Sequence, residues 1–294
     1  MRKVFCWMWL LLVLTGCATN DDFWTQAEPV QTGTLFRRID RTEPRLMKIC
    51  AMRIDLATPG LVFTGTGRDV DWGKPMPDFP SLNIATLRVR TRDFMLTARE
   101  GGQNMIVAFN SAPWHPWKRP FHHRYGQPRG VMILDGEVVA ENKREGAEFI
   151  VWKDGRVEIA EDVKPEDYAN VKVAAAGFAL LMRNGETLPG SSYEKGLMPR
   201  IAYGLSRDRR YLYIVTVDGR QPEWSLGMTG PEITEILREA GAYDAIDMDG
   251  GGSATLCYWD EKTKEPIVVT HHKDAVERLV GANIGIILVP ERHF

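Results

Sequence analysis

The sequence predicts an α+β fold: a single domain with a mixed, largely antiparallel sheet and a few packed helices. Three observations carry this. Short apolar or alternating runs outnumber helical patterns, hairpin-type dipeptides recur between them, and one stretch has a full helix signature. The strand candidates in chain order are Leu46 to Leu56, Met105 to Phe109, Val131 to Leu134, Phe149 to Trp152, Val157 to Ile159, Ala202 to Leu205, Tyr211 to Val217 and Ile284 to Val289. Turns are expected at Asp135-Gly136, Asp154-Gly155 and Asn184-Gly185, each flanked by apolar or alternating residues. In the helix, Thr229 serves as cap, Pro231 suits the first turn and Glu232 completes a capping box. Ile233, Ile236, Leu237 and Ala240 form its apolar stripe, and Gly241 ends it.

Ahead of the domain, Arg2 and Lys3 precede an apolar run from Val4 to Leu14 that ends in Leu14, Thr15, Gly16 and Cys17. The run is short for a membrane span and has the layout of a cleavable signal peptide, against the alternative of a buried N-terminal helix. The LTGC string resembles the lipobox of bacterial lipoproteins. That resemblance implies lipidation of Cys17, a membrane anchor and, with Ala18 next, an outer-membrane position facing the periplasm. Residues 1–17 are therefore read as a signal peptide, 18–43 as a polar tether and 44–294 as the folded domain.

The chain of 294 residues has 37 Lys and Arg against 39 Asp and Glu, a formal charge of −2. This balance, with no basic run interleaved with aromatics, argues against nucleic acid as a partner. Of the cysteines in the domain, Cys50 and Cys257 can pair in an oxidising compartment, or equally remain buried thiols, since both lie in apolar runs.

The helix runs into AIDMDGGGSATL, Ala245 to Leu256. As a strand, Ala245 to Asp249 sets Asp247 and Asp249 on one face and Ile246 and Met248 on the other. Gly250, Gly251 and Gly252 then permit a tight turn whose amides can gather round an anion, and Ser253 and Thr255 add hydroxyls. Paired acids beside a glycine run also occur at plain solvated strand ends.

The string from Gly227 to Leu256 resembles the phosphodiester glycosidase domain family, that of the enzyme that uncovers mannose 6-phosphate. Further segments match in order: VAFNSAPW from Val107, MPRIAYGLS from Met198, YIVTVDGR from Tyr213 and ERLVGANIGIIL from Glu277. The resemblance implies hydrolysis of a sugar-1-phosphate diester at its glycosidic bond, with a phosphorylated glycan as partner and no required cofactor. A phosphate leaves as a stable anion, so such a site needs positive charge and a carboxylate more than a strong general acid. Arg200 and Arg220 offer guanidinium forks for phosphate. Asp249, Asp247 and Asp218, in that order, are the carboxylate candidates. Asn110, Ser253, Thr255, the three glycines and Arg278 are candidates for binding substrate, with turn or ion-pair roles as alternatives for Asn110, Asp218 and Arg278.

The segment from Trp114 to Arg129, rich in tryptophan, histidine and arginine, departs from the family core and is expected to shape the substrate site. Its histidines, His115, His122 and His123, are a weaker metal set with His271 and His272, because adjacent histidines seldom face one ion. Calcium held by the Asp247 and Asp249 carboxylates is a further possibility. A Ser-His-Asp hydrolase lacks its GxSxG elbow, and a dinucleotide fold lacks GxGxxG spacing. A non-catalytic envelope lipoprotein that binds glycan, or assists its processing or export, is the other class of function the residues allow.

Overall fold

The computed structural model describes residues 20–119, 121–141, 147–161, 163–189 and 196–290. The proposed signal segment and Cys17 lie outside the described residues. Within them the chain is α+β, and every strand pair is antiparallel.

Three sheets surround one core. The largest has eight strands and contains Thr34–Arg41, Met47–Asp55, Tyr211–Val217, Arg200–Leu205 and Asp244–Asp247 in that spatial order. A five-stranded sheet centres on Met105–Asn110, flanked by Leu256–Asp260 and Asn283–Leu288, and a second is built round Val171–Ala176 and Ala147–Trp152. Their inward side chains meet in one cluster: Cys50, Met52, Ile54, Tyr203 and Ile214 from the first, Val107, Phe109 and Ile284 from the second, Phe149 and Val173 from the third.

Strict alternation explains why the long strands read so clearly. In Met47–Asp55, Cys50, Met52 and Ile54 face this core while Met47, Ile49 and Ala51 face away. The far face is apolar because the helix Gly230–Ala240 lies on it, with Ile233, Ile236, Leu237 and Ala240 buried. Its ends match the sequence reading. Thr229 accepts the Glu232 amide, the Glu232 side chain returns to the Thr229 amide, and Gly241 stops the helix at φ 109. A second helix, Thr91–Glu100, covers the outer face of the Met105–Asn110 sheet. It lacked a sequence signal because its cap position, Arg90, makes no side-chain capping bond.

All eight expected strands are present, with ends shifted by a few residues at most. The hairpin turns at Asp135-Gly136 and Asn184-Gly185 have positive φ at both residues, as a type I′ turn requires. Cys50 and Cys257 are separate buried thiols rather than a disulfide.

The tether reading needs correction. Residues from Asn20 onward are folded: Asn20–Trp24 is helical, and Thr34–Arg41 pairs residue for residue with Met47–Ile54. Trp24 is 6% exposed, donates its indole N–H to the Ala240 carbonyl at 2.8 Å and stacks on Tyr213. The segment looked like a linker because only Thr34 and Phe36 of its longer strand are buried, the rest being half-exposed or solvated.

Two stability measurements check this docking. Trp24→Ala is expected to cost about 3 kcal/mol in denaturant unfolding, as for other buried large aromatics. A chain beginning at residue 43 is expected to lose cooperative unfolding, whereas one beginning at residue 20 retains it.

Candidate active site

The Asp244–Asp247 strand ends two residues earlier than expected, and the chain then turns through Met248 and Asp249 into a single turn at Gly251–Ser253. The turn is fixed sterically. Gly251 sits at φ +62 and donates its amide to Pro199 O at 2.7 Å, while a Cβ on Gly250 would lie 2.9 Å from that same carbonyl. The amides of Gly251 and Ser253 are thus directed to backbone carbonyls rather than to a shared anion.

Both acids emerge into one cavity of about 280 Å³, lined also by Trp114, Trp117, Phe178, Met198, Arg200 and Arg220. Asp247 is 2% and Asp249 3% exposed. Arg200 Nη1 donates to Asp247 Oδ2 at 3.0 Å, and its other nitrogens reach Met228 O at 2.8 Å and Gly196 O at 3.3 Å. Arg200 is therefore a brace for Asp247, not the free phosphate fork expected of it. Burial raises the Asp247 carboxyl to about 6, with Arg200 pulling the other way. Burial raises Asp249 further, to about 7, opposed by Ser253, Arg278 and Trp114. Oδ1 of Asp247 and Oδ2 of Asp249 are buried with no hydrogen-bond partner among the described residues.

Asn110 and Thr255 are architectural. Asn110 Nδ2 donates to Asp249 O at 2.7 Å, and Asn110 Oδ1 accepts the Thr255 amide at 2.9 Å. The Thr255 hydroxyl donates to Ser253 O at 3.1 Å. Asp218 has both oxygens engaged: Trp224 Nε1 donates to one at 2.8 Å and the His271 amide to the other at 2.9 Å. It pins the loop that presents Arg220 and stands on the wall of a neighbouring cavity.

Three further arginines border this region without an ion pair among the described residues: Arg129 in the acid cavity, Arg278 in the neighbouring one and Arg220 in both. Arg220 is exposed at φ 59, with its guanidinium beside Gly251, and lines both cavities. Arg278 lies against Gly252, donates to Ser253 Oγ at 3.3 Å and packs on the rings of Trp117 and Phe121, 5.0 and 4.8 Å from their centroids.

The segment from Trp114 to Arg129 meets the acid cavity in part. Trp114, His115, Trp117 and Arg129 line the acid cavity, while His122 and His123 do not. Beneath it the 4% exposed Arg88 sits 4.6 Å from the Trp114 ring centroid and donates to Phe121 O at 3.1 Å. Phe178 and Met198 were missed by sequence reasoning. The signal for Phe178 was the small-residue run before it: a Cβ on Gly177 would lie 2.5 Å from Asp247 O, and the Phe178 amide donates to that carbonyl at 2.7 Å. Among the described residues no three His, Cys, Asp or Glu side chains gather as a metal set. Of the acids considered for calcium, Asp247 is in an ion pair with Arg200 at 3.0 Å.

Raised carboxyl pKa values make a stability prediction of definite sign. Between the ordinary aspartate range and about pH 7 the native state binds more protons than the unfolded chain, so this contribution to stability falls as pH rises. Asp249→Asn is expected to raise Tm at pH 8, with the advantage gone near pH 4. Calorimetry across that range checks it. Asn110→Ala is expected to lower stability by roughly 2 kcal/mol, because the Thr255 amide and Asp249 carbonyl lose their buried partner.

The phosphodiester glycosidase profile matches residues 110–287. The catalytic domain of zebrafish N-acetylglucosamine-1-phosphodiester alpha-N-acetylglucosaminidase, solved auto-inhibited by its pro-peptide, superposes with TM-score 0.61 at 19% identity, over 88% of this chain and 84% of that one. A hypothetical protein from Synechocystis gives 0.58 at 11% identity over 90% and 63%, and a putative exported protein from Burkholderia pseudomallei 0.53 at 14% over 82% and 74%. No curated protein matches in sequence. With the profile spanning more than half its length, this chain belongs to the phosphodiester glycosidase family.

Proposed function

We propose that this protein hydrolyses the glycosidic bond of sugar-1-phosphate diesters, releasing free sugar and leaving the phosphate on the other partner. The observation that carries the reading is the pairing of two buried carboxylates in an aromatic-lined cavity with Arg220, shared with the adjoining cavity, and Arg278 on that cavity's wall.

The division of labour follows from the environments. The sugar occupies the acid cavity against Trp114, Trp117 and Phe178, whose rings suit its apolar faces. The phosphate lies at the rim, where Arg220 and Arg278 stabilise the charge that builds as the C1–O bond breaks and its electron pair moves to phosphate. Asp247, held by Arg200, has the lower pKa and supplies fixed negative charge to the oxocarbenium-like transition state. Asp249, poised near neutrality, takes the proton of the water whose oxygen bonds to C1. A second phosphodiester reading of Asp218 as the base is disfavoured by the two donors it already accepts.

The proposed setting is the bacterial envelope, by way of lipid on Cys17, supported by the LTGC string. Loss of membrane association in Cys17→Ser checks it.

For the chemistry, purified protein is incubated with sugar-1-phosphate diesters, such as one bearing N-acetylglucosamine, and free sugar is measured. Asp249→Asn is expected to lower kcat by about a thousandfold with the fold intact. Because the base must be ionised, kcat/KM should fall as pH drops through about 7. Arg220→Ala should raise KM about tenfold. Tight glycan binding without release from any diester would replace hydrolysis with a binding function.

A further inference from the structure

The acid cavity has a neighbour of about 300 Å³, and the two share Arg220 and Gly251 as their common wall. The neighbour is strongly cationic. Arg119, Arg220, Lys273 and Arg278 stand on its wall against one carboxylate, Asp218, four charges to one. None of the four cations is in an ion pair among the described residues. Burial lowers the pKa of Arg278 against the pull of Asp249, and Arg119 and Arg220 add to the lowering, so the like charges are close enough to repel.

Solvated surfaces usually intersperse charges of both signs, which makes an unpaired cluster of this kind on a concave wall an anion site rather than a solubility device. A diester phosphate carries a single negative charge. Arg220 and Arg278, beside Gly251 and Gly252, meet that charge at the rim. Arg119, Lys273 and Arg278 line only the second cavity, and of these three only Arg278 acts on the charge of Asp249. The charge of Arg119 and Lys273 is surplus to the scissile phosphate.

We propose that the second cavity is a subsite for the leaving half of the substrate, and that this half carries an anionic group of its own a few atoms beyond the scissile phosphate. The inference rests on the phosphodiester reading of the neighbouring site. It narrows the substrate class to sugar phosphates linked to a phosphate- or carboxylate-bearing partner, such as a repeating anionic polymer, and away from neutral glycans.

Three synthetic sugar-1-phosphate diesters test it, with ethyl, 2-phosphoethyl and 2-carboxyethyl leaving halves. The charged esters are expected to exceed the ethyl ester in kcat/KM by about tenfold at low salt, the ratio shrinking as salt rises. The double variant Arg119→Ala, Lys273→Ala is expected to bring that ratio near one. A difference between the two charged esters identifies which anion the subsite prefers. Equal rates for all three esters in the unaltered protein, or a ratio that the double variant leaves intact, overturns the subsite. If none of the esters is hydrolysed, the phosphodiester reading falls by itself. The subsite is then judged by calorimetric titration of the same compounds, where tighter binding of the charged esters, lost in the double variant, sustains it and equal binding overturns it.

Discussion

Asn110 sits where two sheets must be joined, and the geometry of the whole site depends on how it makes that join. Asp247 ends a strand of the eight-stranded sheet, while Leu256 begins a strand of the five-stranded sheet that contains Asn110 itself. The residues between cross from one to the other. A single side chain closes both ends of the crossing, donating to the Asp249 carbonyl and accepting the Thr255 amide, and the backbone carbonyl of Asn110 accepts the Tyr203 hydroxyl at 2.5 Å. Only a carboxamide offers a donor and an acceptor at these two positions together; aspartate lacks the donor and serine the reach.

That rigid crossing lets the protein bury two carboxylates with few compensating contacts. Arg200 links the acid to the rest of the fold: one nitrogen holds Asp247 and another the Met228 carbonyl, the residue before the Thr229 helix cap. Helix, arginine and aspartate thus form one mechanical unit. Buried pairs of this kind add little net stability, because desolvation consumes most of their attraction, yet losing one partner strands a charge. Asp249, with no such partner and a higher pKa, is the less stable ionised group, a cost consistent with a catalytic rather than a structural use.

The sequence was most legible where one rule decided the outcome. Strands such as Tyr211–Val217 send alternate side chains into two apolar layers, and the Thr229 helix has a cap, a stripe and a stop that agree. Thr34–Arg41 was illegible because an edge strand with one sparse buried face has the composition of a linker. In the site, acids, glycines and arginines were found because their chemistry is explicit in residue type. Their roles were not. Asn110 acts on residues 139 and 145 positions away, and Asp218 on one 53 away, so what distinguishes a substrate ligand from a brace is set by long-range contacts that local sequence does not encode.

The glycine triplet illustrates the difference. Read locally, three glycines mean a flexible turn. In the fold each is required for a separate reason, and flexibility is not among them: Gly251 for its left-handed backbone, Gly250 for the Pro199 carbonyl, and Gly252 for Arg278, whose Nη2 would lie 2.5 Å from an added Cβ. The last of these is the most consequential. A clash with backbone would disturb the fold, but a clash with the end of an arginine moves only the charge. Gly252 therefore sets where the guanidinium stands relative to Asp249, and so links the shape of the loop to the acidity of the carboxyl.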